Sequence, residues 1–191
     1  MRYFRQSFQA ARISICAAFF MPATLMAMPA HAAGLERFLS TFRECDYSNE
    51  TDPFELFVRS LVERYRNDFS PDAQPAADRT HVKLEIPADL VGNIGPVTSR
   101  NEGDHTLLSI PLKGSFDGLP LKALEFAFGN ENGINTAVLV FDGSRADVVK
   151  TFGASIARGN AKGEAASADG AGYGAIIPEE EPGRIICDWS T

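Results

Sequence analysis

The sequence predicts an α+β fold in two layers, a mainly antiparallel sheet with N-terminal helices and one later helix packed on it. Three observations carry this. Apolar residues recur at helical spacing between residues 35 and 65. The period then changes from 3.6 to 2. Finally, two β-type runs flank Asn132-Gly133, a preferred type I′ hairpin pair.

Residues 1–32 read as a cleaved signal peptide. Arg2, Arg5 and Arg12 form a basic front, Ile13 to Ala27 is largely apolar, and Ala30-His31-Ala32 is a small-x-small cleavage pattern. Pro22, Pro29 and the short apolar run argue against a membrane anchor. Cys16 lies near the start of that run, whereas a lipoprotein needs a cysteine at its end. Residues 33–191 then form a single domain, expected in the periplasm or secreted.

The first helix is expected from Leu35 to Glu44, with Leu35, Phe38, Leu39 and Phe42 as one stripe. The second starts at Asp52-Pro53, an N-cap followed by proline at the first helical position. Its stripe is Phe54, Phe57, Val58, Leu61, Val62 and Tyr65. A polar connector spans residues 67–80. Val82, Leu84 and Ile86 alternate with His81, Lys83 and Glu85 and predict a half-buried strand. Further strands are expected near Val97 to Arg100 and from Thr106 to Leu112, with Pro111 at an edge or strand end.

If Asn132-Gly133 is a two-residue loop, Phe128 faces Ala137, Phe126 faces Leu139 and Leu124 faces Phe141. All six are apolar and share one face. Beyond Thr136 the second strand is apolar on both faces, which places it centrally. A helix follows from Arg145 to Ala157, with Ser144 as N-cap, Asp147 at the third position, and Val148, Val149, Phe152 and Ile156 facing the core. Residues 158–172 are rich in Gly and Ala and read as a loop. Tyr173 to Ile177 and Arg184 to Trp189 form a last hairpin around Pro178-Glu179-Glu180-Glu181-Pro182-Gly183.

Cleavage removes three arginines and no acidic residue, so the net charge passes from −7 to −10. Nucleic acids and anionic membranes call for a basic face, and both are poor partners for this chain. A basic protein is better matched. Cys45 and Cys187 remain as a pair, expected to form one disulfide in an oxidising compartment.

No motif supplies a chemistry. The mature chain holds His81 and His105, neither in a zinc-binding spacing, and has no Cys-x-x-Cys pair. No Gly-x-Ser-x-Gly elbow presents a nucleophile. Gly170-Ala171-Gly172-Tyr173-Gly174 leads towards a strand, not the helix N-terminus that a phosphate loop needs. Contiguous Glu179, Glu180 and Glu181 lack calcium-loop spacing. Asn49-Glu50-Thr51 matches a glycosylation acceptor. No catalytic, metal or cofactor site is therefore assigned.

The expected function is binding to another protein, in concrete form as an inhibitor or immunity protein against a basic toxin or enzyme of the cell envelope. Glu131, Glu179, Glu180 and Glu181, on two turns, are the candidate contacts. A small-molecule or lipid carrier is the alternative, since ten phenylalanines remain after cleavage. A hydrolase would need a cleft converging on His81 or His105 with a nearby carboxylate.

Overall fold

The computed structural model describes residues 30–46, 51–69, 82–130, 133–167 and 172–190. The fold is α+β. Among the described residues three α-helices, α1 (Ala30–Phe38), α2 (Pro53–Tyr65) and α3 (Arg145–Ser167), accompany seven strands. The strands are β1 (Thr98–Asn101), β2 (His105–Pro111), β3 (Ser115–Phe116), β4 (Leu119–Gly129), β5 (Asn135–Phe141), β6 (Gly174–Ile176) and β7 (Arg184–Asp188). Every pairing is antiparallel and the order is β1-β2-β4-β5-β7-β6, with β3 paired to β4. β5 sits in the middle, as its two-sided apolar pattern requires.

One face of the sheet carries the core. Leu108 and Ile110 of β2, Leu124 and Phe126 of β4, Ala137, Leu139 and Phe141 of β5, and Ile185 and Cys187 of β7 are buried there. The stripes of α1 and α2 lie over them. Phe54 meets Phe38 and Phe42 edge-on at 5.3 and 5.5 Å and stacks on Phe126 at 6.1 Å. Phe152 of α3 packs against Phe116 and Phe141. Cys45 and Cys187, both fully buried, form a disulfide with Cα atoms 5.3 Å apart across a sequence separation of 142.

Five expectations need correction. The first helix ends at Phe38, and a 3-10 turn over Ser40–Arg43 carries the stripe on to buried Phe42. Residues 83–87 form no strand; they run beside α2, where the Glu85 N–H donates to Ser60 Oγ and Arg64 donates to the Val82 carbonyl. Alternation there reflects packing on a helix, with Leu84 and Ile86 half-buried against the core. His81 lies outside the described residues.

The hairpin register is offset by two residues. Phe126 pairs with Ala137 and Phe128 with Asn135, and the chain closes through Gly129 N–H to the Ile134 carbonyl. Buried Asn130 explains the longer loop. Its N–H donates to the Asp104 carbonyl, its side-chain amide donates to the Gly103 carbonyl, and its Oδ1 accepts from Thr106. Asn130 thus belongs to the start of β2 and is lost to the ladder with β5. An even shift leaves every side chain on its expected face.

α3 continues ten residues past the expected end, through much of the predicted loop. Gly159 and Gly163 are buried on its inner side, where an added Cβ would collide with the carbonyls of Glu44 and Tyr173 respectively. The glycines mark close backbone approach, not a turn. Val149, expected in the core, is 39% exposed.

Candidate binding groove

A groove opens where α2 leans over the end of the sheet. The Asp52 carboxylate accepts from the Phe54 N–H at 2.8 Å, and Pro53 starts the helix. With Phe54, Phe57 and Leu61 buried, the neighbouring Val58 and Val62 come to the margin of the helix–sheet interface, half-buried. Phe126 and Phe128 of β4 stack at 5.8 Å and form the floor, with Phe69 against Phe128 at 5.0 Å. Trp189 forms the end wall. Its backbone N–H donates to the Asn135 carbonyl at 2.9 Å and its indole N–H to the Cys45 carbonyl at 3.2 Å. The space encloses about 410 Å³.

The rim is charged and internally paired. Arg59 donates to Glu55 at 3.0 Å, and Arg66 lies 3.4 Å from Glu63. An apolar floor under a polar rim suits a large apolar group, desolvated below and held at its edges. Sequence periodicity assigned Val58, Val62 and Phe128 to the core and singled out no groove. The signal was present in the width of the α2 stripe, six apolar positions where four fill the interface, and in the only tryptophan of the chain.

The acidic turn at Glu179 to Glu181 lies against the start of α3. Glu181 accepts from the Arg145 N–H through both oxygens, at 2.9 and 3.0 Å, and so serves the N-terminus of α3. Glu179, 87% exposed in its side chain, pairs with the Arg145 guanidinium at 2.8 Å, and Arg145 also donates to the Pro178 carbonyl. The tip is folded onto α3 instead of standing clear of it. Glu131 lies outside the described residues.

No catalytic constellation assembles among the described residues. His105 pairs with Asp104 at 2.6 Å, and this contact holds the Asp104 carboxyl below the usual carboxylate range. Ser99 donates directly to Asp68 at 2.5 Å with no imidazole between them. No group of three His, Cys, Asp or Glu side chains has metal-binding geometry among the described residues.

A second charged cluster stiffens the far end of the molecule. Asp117 and Gly118, both at positive φ, turn β3 into β4. The Asp117 carboxylate accepts two hydrogen bonds from Arg43, at 2.7 and 2.8 Å, while Glu36 accepts a third at 2.7 Å. Burial, with Asp117 nearby, pushes the Glu36 carboxyl up; the Asp117 hydrogen bonds hold the Arg43 guanidinium more firmly protonated. Every member is bonded within the cluster, so it acts as a structural clamp.

No family model, curated protein or solved structure matches the chain. Its function is therefore argued from the geometry above.

Proposed function

We propose that the chain is an exported, non-enzymatic binding protein that holds another protein through the α2–sheet groove, most concretely as an inhibitor or immunity protein against a basic toxin or enzyme of the cell envelope. The groove carries this reading: a ready-formed, aromatic-floored recess with a polar rim takes an anchoring side chain from a partner. The Cys45–Cys187 disulfide supports an oxidising compartment, and the signal-like N-terminus supports export to the periplasm or beyond. The acidic surface favours encounter with a basic partner.

The test is capture of partners from envelope fractions by the oxidised protein, compared with Val62→Arg and with a triple charge reversal at Glu179, Glu180 and Glu181. Val62→Arg places a long cation over the apolar floor. The reading predicts one stoichiometric partner at moderate salt, retained roughly tenfold or more weakly by Val62→Arg. Retention unchanged by Val62→Arg and abolished by the triple reversal would move the site to the acidic tip.

A carrier of small apolar molecules is the second reading. The groove volume favours it, since about 300–1,000 Å³ is typical of small-molecule sites. Native mass spectrometry of the purified protein separates the two: a co-purifying small molecule, released by Val62→Arg, selects the carrier.

A further inference from the structure

The three helices pack on one face of the sheet; on the other, Val140 is buried and Val138 and Ile186 are half-buried. The register sets this second face out in rows. The central row is Thr98, Ser109, Glu125, Val138, Ile186 and Ile176, one residue from each strand but β3. Its β5-β7-β6 half is wholly apolar, and Ile176 is 58% exposed. On β7, Arg184 and Asp188 flank Ile186 at two residues either side and share its face. Arg184 keeps a solvent-shielded Nε with no hydrogen-bond partner. Asp188 accepts from the Ser190 N–H through Oδ1, which leaves Oδ2 for a further donor.

We infer that this face is a homodimer interface, in which a second copy packs sheet to sheet over Val138, Ile186 and Ile176. The charge pattern selects the occupant. A two-fold axis through Ile186, inclined to the central row by about 15°, half the crossing angle of aligned sheets, carries each Arg184 towards the Asp188 of the other copy, because the two residues are equidistant from the pivot. One charged pair on one strand thereby becomes two symmetry-related ion pairs, the self-complementarity that an isologous interface requires. Aligned sheets cross at about 30°. Pivoted on Ile186, that crossing draws the two Glu125 side chains, two strands away, apart from each other. The interface is separate from the groove, which opens on the helix-bearing side.

Sedimentation velocity over a wide concentration series tests the inference. The oxidised protein should form a dimer. Arg184→Asp sets acid against acid at both pairs and should raise the dimer dissociation constant roughly tenfold or more. The double swap Arg184→Asp with Asp188→Arg should restore it. Ile176→Glu, at an exposed position, should abolish dimerisation while leaving the circular dichroism spectrum and groove binding unchanged. A monomer at every concentration, or a dimer indifferent to both Arg184→Asp and Ile176→Glu, overturns the inference. So does a folded double swap that fails to recover association.

Discussion

Asn160 closes one edge of the sheet with a single side chain. Its amide donates to the Ala175 carbonyl at 2.8 Å and its Oδ1 accepts from the Ala175 N–H at 2.7 Å. The amide imitates the strand that would otherwise pair there, a device that blunts an edge. Asn160→Ala should cost about 2 kcal/mol, because both backbone groups lose a partner in a half-buried setting; urea unfolding measures it. The glycines of α3 separate in the same assay. Gly159→Ala drives a Cβ into the Glu44 carbonyl and should destabilise by about 2 kcal/mol or more. At Gly153 the nearest atom is 3.7 Å from an added Cβ, so Gly153→Ala should stabilise by up to about 1 kcal/mol.

Glu44 contributes to the acid limb. Hydrogen bonds from Lys162 at 2.5 Å and Arg158 at 3.1 Å hold its carboxyl below the usual range. A depressed carboxylate contributes stability above its unfolded value and loses it as pH falls through the folded one. Glu36, raised by burial, works in the opposite direction and favours the fold as it takes up a proton. Glu44→Gln should therefore lower stability at neutral pH and flatten its decline below about pH 4, read from unfolding free energy against pH.

At the scale of elements, what was legible followed periodicity and capping. Asp52-Pro53 began α2, and Ser144 began α3, where its hydroxyl accepts from the Asp147 N–H. Inward and outward faces of β2, β4, β5 and β7 followed alternation. The misses share a cause, contacts made by residues distant in sequence. Small residues in 158–167 resemble a loop until Glu44 and Tyr173 are laid against them. Asn132-Gly133 resembles a tight turn until Asn130 is drawn to β2. Residues 82–86 alternate like a strand because one side rests on α2. The groove escaped for the same reason: which stripe residues fill an interface and which overhang it depends on the tilt of α2, and the sequence does not encode that tilt locally.

Across the whole molecule, two layers and one disulfide account for the fold. The disulfide ties the 3-10 turn after α1 to β7 and holds the Cys45 carbonyl in reach of Trp189. Cys45→Ser with Cys187→Ser should cost about 2–5 kcal/mol, measured as the loss of unfolding free energy. The groove should loosen with it, and the single tryptophan reports that directly: its emission should shift red when the disulfide is removed, at temperatures where the fold persists.

The same bond changes the topology of the chain. With Cys45 and Cys187 joined, residues 45–187 form one closed covalent loop. One backbone cut anywhere in that loop linearises it and releases no fragment. The oxidised protein thereby keeps its mass after a first cleavage within the loop. Singly nicked material should run as one band without reductant and as two with it, and nicking should relocate the chain ends without dividing the fold.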